Sequence, residues 1–467
     1  VKLASAWQTL PPITYPGFTD DDVMLQGFYW DAEPRLGWWT NLSGKVSDLA
    51  SVGFTMIWLP PPYKAANAGY SVGYDPFDHY DLGEYYQKYS TPTRYGTKAE
   101  LTNLLSALIA TNMVPVCDIV LNHMAGGSGG DHKTFDYPHN IFEKGSTNFH
   151  PSSTGHNDEI FPYHNNENFG TYPPLDIYGV DNDALDPHMR RGLKQWGSWL
   201  VTNIHFGGFR FDYTEGVEPW YVWEWLNYPS QRPLFGFMEY WANADEDEMR
   251  TWLHLTGWEA AIYDWNLQKL LEEMCEDSGT SFDMYELQAP SLLGIEPDYT
   301  VTFVENHDTL QPTNEIGIAT NKHLAYAYIL HSQGLPLVFY HDYYDQPYYV
   351  GGTNYAGVPL KPEIDRLILI RKATVEGSVA YLNTNADLLI QQRDGGGSKP
   401  GSILVINDHP SSTLTNQVQT IFTNQWLIDL VSTNPATLIQ TDTNGYVNLA
   451  APPRDYRIYG LTNLLTE

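Results

Sequence analysis

Basic residues are in short supply. The chain of 467 residues carries 25 Lys and Arg against 56 Asp and Glu, a formal net charge of −31. A surface of that sign repels nucleic-acid phosphates and anionic lipid headgroups, so neither is expected as a partner. The acidic residues are dispersed rather than gathered into a tail, which reads as a solvated face. Cysteine is scarcer still: Cys117 lies in the apolar run VPVCDIVLNH and Cys275 in the helical run LQKLLEEMCED. Two such residues make neither a disulfide framework nor a zinc site and read as small buried hydrophobes. No run of about 18 apolar residues occurs, so no membrane-spanning helix is expected. A Gly-rich phosphate loop, a dinucleotide fingerprint after the first strand and a Ser nucleophile elbow are all missing. The chain starts at Val1 without a Met and shows no secretory leader, which reads as a processed or trimmed start.

What is present is an alternation of short apolar runs and amphipathic segments. Strands are expected at 22–30, 54–62, 114–123, 208–213, 234–241, 260–267, 300–308 and 335–344. Helices are expected between them at 39–53, 97–113, 188–205, 246–255, 321–333 and 360–374. Thr97 with Glu100 has capping-box spacing. Eight strand–helix units favour an α/β fold of the (β/α)8 TIM-barrel type over a doubly wound sheet. The stretch 124–185, rich in Gly, Asn, His, Asp and Pro, is too long for a loop and is expected to be a small inserted domain after the third strand. From 378 to 467 the texture becomes short strands split by Gly, Asn and Asp turns, a C-terminal antiparallel β domain. The barrel is then 1–123 together with 186–377.

Polar residues crowd the C-terminal ends of these strands: Asn122 and His123, Arg210 and Asp212, Glu239, then Asn306, His307 and Asp308. A barrel brings those ends to one face, where active sites are built. Carboxylates on several strands, aromatics in plenty (33 Tyr and 15 Trp) and no phosphate loop suit glycoside hydrolysis. Arg210 lies two residues before Asp212, so both side chains leave the same face of the strand. The guanidinium is expected to hold the Asp212 carboxyl ionised. Glu239 sits among Phe237, Tyr240 and Trp241, apolar surroundings expected to favour the protonated acid.

At this point the chain resembles the α-amylase family of glycoside hydrolases (family 13). The resemblance rests on DIVLNH (118–123), GFRFD (208–212), FGFMEYW (235–241) and FVENHD (303–308), in that order. The stretch GYSVGYDPFDHYDLGEYYQKYSTPTRYGTKAEL (69–101) adds to it, and APPRDYRIYG (451–460) resembles the C-terminal sheet of the compact plant and archaeal branch. The resemblance implies Asp212 as nucleophile, Glu239 as general acid and base, and Asp308 as transition-state stabiliser. It places His123, His307, Tyr74, Arg210, Glu215 and Trp241 at the substrate. It also implies a Ca²⁺ ion held by Asn122, the Gly216 carbonyl and acidic residues at the end of the insert, Asp181 first and Asp176 second.

Two positions depart from the pattern. Many members of the family have Lys or Arg where this chain has Glu215, and some have His at Gly216. The expected activity is endo-acting, retaining cleavage of α-1,4 bonds in starch, glycogen and maltooligosaccharides, by a secreted, monomeric enzyme. An exo-acting or transglycosylating enzyme on the same fold is the alternative; a non-catalytic glucan-binding protein ranks behind both.

Overall fold

The computed structural model describes residues 17–129, 132–145, 148–149, 188–228, 230, 234–241, 245–277, 279, 281–288, 291–311, 315–344, 348–350, 353–355, 360–432 and 438–462. Eight parallel strands close into a barrel in chain order: β1 (Met24–Gln26), β2 (Met56–Leu59), β3 (Val114–Val120), β4 (Gly208–Asp212), β5 (Phe235–Met238), β6 (Ala261–Tyr263), β7 (Thr300–Phe303) and β8 (Leu335–Phe339). β1 completes the ring, with Met24 paired to Met56 on one side and Leu337 on the other. Parallel strands covered on both faces are apolar almost throughout. Only Val114 and Asp212 in these eight are less than fully buried. The TIM barrel expected from the alternation is what forms.

The elements are shorter than the apolar runs that signal them, for local reasons. Asp264 accepts a hydrogen bond from the Leu267 amide and caps a helix at Trp265–Glu276, so the strand expected to reach 267 ends at Tyr263. The run at 335–344 changes character after Phe339: Tyr340–Tyr344 is a helical turn. The helix expected over 39–53 is two, Trp38–Ser43 and Val46–Val52, the second ended by Gly53 at φ +118°. The helix over 188–205 is α-helical to Trp199, then widens to a π turn at Leu200–Ile204. Thr97 and Glu100 form the capping box that their spacing predicts.

Little of the insert falls within the described residues. Phe135, Tyr137 and Phe149 pack into the main core, and the Tyr137 hydroxyl donates to the Phe77 carbonyl at 2.8 Å. Residues 150–187, with Asp176 and Asp181, lie outside the described residues.

From Val379 the chain forms a six-stranded sheet, with the strands in spatial order Val379–Asn385, Leu388–Arg393, Ser402–Asn407, Asp455–Leu461, Trp426–Asp429 and Ile439–Gln440. A two-stranded ribbon, Leu414–Gln419 with Tyr446–Ala451, completes this part. Period-2 alternation splits the Leu388–Arg393 and Ser402–Asn407 strands between two cores. Leu389, Leu404 and Ile406 join the barrel's core, whereas Leu388, Ile390, Ile403 and Val405 form a second core with Val418, Val447 and Leu449. The segment leading into β1 is stapled here too: Asp20 pairs with Arg393 at 2.6 Å and Asp21 with Lys399 at 2.5 Å. Among the described residues no helix is long and apolar enough to cross a membrane. Both cysteines are buried and free, as expected.

Asp408, just past the Ser402–Asn407 strand, is fully buried, and neither carboxyl oxygen has a hydrogen-bond partner among the described residues. Burial, against the pull of Arg454, pushes its carboxyl up to about 7. A group whose folded proton affinity exceeds its unfolded value costs stability as pH rises from its unfolded to its folded pKa. Asp408→Asn, measured by thermal melting, should therefore match the parent near pH 4 and melt higher than it at pH 8.5.

Candidate active site

The register of β3, β4 and β5 builds the site from below. Asp118 pairs with Arg210, and Arg210 pairs with Phe237, two residues short of Glu239. All three strands aim alternate side chains inward, so an arginine ends up inside the barrel with a carboxylate on each flank. Arg210 is fully buried. Its Nη1 donates to Asp118 Oδ1 at 3.0 Å and to Asp212 Oδ1 at 2.8 Å. Its Nη2 lies 2.9 Å from Glu239 Oε2, an ion-pair contact outside hydrogen-bond alignment. The cation also lies over the Trp58 ring, 5.0 Å from its centroid.

Asp118 is the member of this cluster that inspection of the sequence missed. It takes hydrogen bonds from the Tyr74 hydroxyl at 2.7 Å and the Trp58 indole at 3.1 Å as well as from Arg210. Burial pushes its carboxyl up to about 6 in spite of the guanidinium. The signal was available: a charge inside an apolar strand, on the same face as Val120 and Asn122.

The expectation for Asp212 needs correction. Arg210 does pull its proton affinity down, but burial outweighs that pull, and the neighbouring Glu239, Asp118 and Asp308 add to the upward push. The net direction is up. One guanidinium faces three buried carboxyl groups, and the proton affinities of Asp118 and Asp212 are both raised. Nor does Glu239 sit in an apolar pocket. Its Oε2 accepts from the Tyr213 amide at 2.8 Å and its Oε1 from the Trp241 indole at 3.2 Å. Tyr213 makes that contact from the left-handed region, φ +43°, a conformation costing about 1–3 kcal/mol for a non-glycine residue.

Above the cluster opens a cavity of about 350 Å³, lined among others by Trp30, Tyr74, His123, Asp212, Tyr213, Glu239, Trp241, His307 and Asp308. Trp30, Tyr74 and His307 stand nearly parallel, 10–15° apart, and make one flat wall. Trp30 and Tyr213 were not singled out from the sequence, since neither belongs to a charged pattern. Trp241, also on the lining, is 44% exposed and stacks on Trp265 at 3.9 Å.

The two histidines differ. Burial and Arg210 hold His307 well below the usual imidazole range, hence neutral. Gln26 Nε2 lies 3.1 Å from its Nδ1. With Gln26 donating there, the ring proton is on Nε2, which faces Asp308 Oδ2 at 3.4 Å. His123 is occupied within the protein: Nδ1 meets the Asn122 amide at 3.0 Å and Nε2 the Tyr74 carbonyl at 2.9 Å. It props the cavity wall rather than presenting a nitrogen to it. Arg210 also lies beneath the cavity instead of lining it, and Glu215 is not on the wall at all. Glu215 is turned back and buried, with its Oε1 accepting from the Trp241 amide.

For a metal, the described residues bring two of the expected groups together. An ideal Cβ on Gly216 would come within 2.1 Å of Asn122 Oδ1, so the amide oxygen packs directly against a turn that only glycine allows. Asn122 Nδ2 is committed to His123, which orients the oxygen toward that turn. These are hard oxygen donors of the kind calcium takes. Among the described residues no group of three His, Cys, Asp or Glu side chains is placed to hold a metal.

Removing the shared cation should expose the repulsion it suppresses. Arg210→Ala should cost about 3–5 kcal/mol near pH 7, the range for stranding buried partners. The cost should shrink toward pH 4 as the carboxyls take up protons. Denaturant melts at the two pH values check both parts.

Comparison with known proteins agrees with this geometry. Residues 19–221 match the family model described as the catalytic domain of alpha amylase. An alpha-amylase of Geobacillus stearothermophilus is 30% identical over 443 residues, 84% of this chain and 78% of its own. A cytoplasmic alpha-amylase of Escherichia coli is 28% identical over 475 residues, 91% of this chain and 95% of its own. The crystal structure of an Anoxybacillus alpha-amylase superposes with a TM-score of 0.71 at 18% identity, over 95% of this chain and 98% of that one. With the barrel, the carboxylate cluster and these relatives in agreement, the chain belongs to the α-amylase family of glycoside hydrolases.

Proposed function

We propose that this glycoside hydrolase is an endo-acting α-amylase that cuts α-1,4 bonds in starch, glycogen and maltooligosaccharides with retention of configuration. The observation that carries the reading is the bridging of Asp212 and Glu239 by one guanidinium at the floor of an aromatic-walled cavity. Double displacement needs two carboxyl groups about 5–5.5 Å apart. Contact of both carboxyl groups with the terminal nitrogens of a single arginine supports such a spacing.

The roles follow from what each oxygen touches. Asp212 Oδ1 is held by Arg210, while Oδ2 has no donor among the described residues and is the atom to attack the anomeric carbon. Glu239 Oε2 faces two donors, Arg210 and the Tyr213 amide. Glu239 is the general acid, and Oε1, beside Trp241, is the oxygen from which a proton would pass to the leaving glycosidic oxygen. Deprotonated Glu239 then draws the proton from the water that releases the glycosyl group from Asp212. Asp308, partly exposed and fixed by the His307 contact and by its own amide on Asn306 at 2.8 Å, would grip sugar hydroxyls as positive charge develops. The parallel wall of Trp30 and Tyr74 suits the apolar face of a pyranose. Compartment does not follow from family membership, since one relative is named a cytoplasmic alpha-amylase.

Calcium belongs to the proposal as a structural ion. Asn122 Oδ1 and the Gly216 carbonyl would be its ligands from the barrel, with Asp181, and second Asp176, from the insert. It would tie the insert to the floor of the cleft and stabilise the fold by linkage. Melting with Ca²⁺ and with EGTA checks this: the chelated protein should melt lower, and Asp181→Ala should melt at the chelated value with or without the ion.

Glu239→Gln should lower turnover of soluble starch by at least about 100-fold while glucan binding, read by affinity electrophoresis, persists. Proton NMR of wild-type products should show the α anomer first. Early release of the β anomer, or full activity in Glu239→Gln, would refute the mechanism. Early chromatograms of amylose digests should show a mixed ladder; a single dominant oligosaccharide would refute endo action.

A further inference from the structure

Resting on the hydrolase reading above, we infer that Glu215 is a positioning residue for the proton donor Glu239, not a sugar-binding residue. The backbone pairing of β4 and β5 runs out just short of the site. Beyond the last paired residues, the Glu239 amide donates to the Phe211 carbonyl at 3.0 Å and the Thr214 amide to the Glu239 carbonyl at 3.0 Å. The next amide on the β5 side belongs to Trp241. By then the β4 side has bent away through Tyr213 into the 3-10 turn Thr214–Gly216. Among the described residues it is the Glu215 carboxylate that receives that amide. A side chain thus supplies the next rung of the ladder, as a charge-assisted hydrogen bond in a buried setting.

What this rung fixes is Trp241. Its backbone is held by Glu215, its ring face by Trp265, and its indole N–H points at Glu239 Oε1. In the proposed mechanism, that oxygen is the one that serves the leaving group. The other oxygen of Glu239 is held by Tyr213, in the same turn that carries Glu215. Both oxygens of the acid are therefore oriented by a turn and a strand end that the Glu215 carboxylate locks together. Buried and turned inward, that carboxylate does not line the cavity. Its charge is no obstacle to this duty, because a backbone amide is satisfied by any acceptor oxygen.

The test uses leaving-group dependence, which separates acid catalysis from sugar binding. Phenyl α-maltotrioside has a poor leaving group and no sugar on the leaving side. α-Maltotriosyl fluoride leaves with little need of a proton donor. Glu215→Ala should lower kcat on the phenyl glycoside about ten-fold or more with KM within about two-fold, a fraction of the 10²–10⁴-fold that a general acid supplies. Turnover of the fluoride should stay within about three-fold. Glu215→Gln, whose amide oxygen can still accept from Trp241, should recover most of the loss, and melting of both variants checks that they fold. Equal losses on both substrates would overturn the assignment in favour of a purely structural role. An unchanged phenyl glycoside rate with raised KM only for longer maltooligosaccharides would overturn it in favour of sugar contact. A wild type inactive on all three would instead refute the hydrolase reading, and this role with it.

Discussion

One buried cation organises this molecule. Arg210 sits where bulk water cannot screen it, and three carboxylates from three adjacent strands converge on its two terminal nitrogens. Neither side of that arrangement is stable alone. Buried carboxylates without the guanidinium would repel one another and take up protons; a buried guanidinium without them would carry its desolvation cost uncompensated. The excess of negative charge around the cation adds to burial in raising the proton affinities of Asp118 and Asp212, and each carboxyl oxygen of the cluster has its own set of neighbours.

The sequence made the barrel legible because its strands announce themselves twice, as apolar runs and as runs that end on charge. Asp212, Glu239 and Asp308 were readable for that reason, each a charge where an apolar strand stops. Asp118 was harder, since it lies inside its run and could pass for an interruption rather than a member of the site. Trp30 and Tyr213 carry no charge pattern: one is the last of three consecutive aromatics just past a three-residue strand, the other is defined by a backbone angle that no spacing reveals. The direction of the Asp212 shift was misjudged because a neighbour two residues away is visible in sequence, whereas desolvation and the carboxylates on other strands are not. Element ends were misplaced where a side chain intervened, as Asp264 does by capping a helix inside an apolar run.

Glu215 shows the same limit in another form. At its position in the chain a carboxylate looks like a reversal of charge facing a ligand. In three dimensions it serves the backbone, and what the cleft meets is the tryptophan it secures. Reading function from a substitution in one motif requires knowing which way the side chain turns, and that depends on a turn several residues long.

The circuit of the fold also constrains its birth. The first barrel strand is complete only when flanked by a strand that ends at Phe339, and Asp20 finds Arg393 across 373 positions of chain. A ribosome delivers residues one after another, so the first strand must wait with one edge unpaired while most of the polypeptide is made. Sheet closure with so wide a separation is slow and leaves apolar edges open in the interval. Production of this protein should accordingly respond to translation speed, growth temperature and chaperone supply more strongly than its finished, well-buried core would lead one to guess.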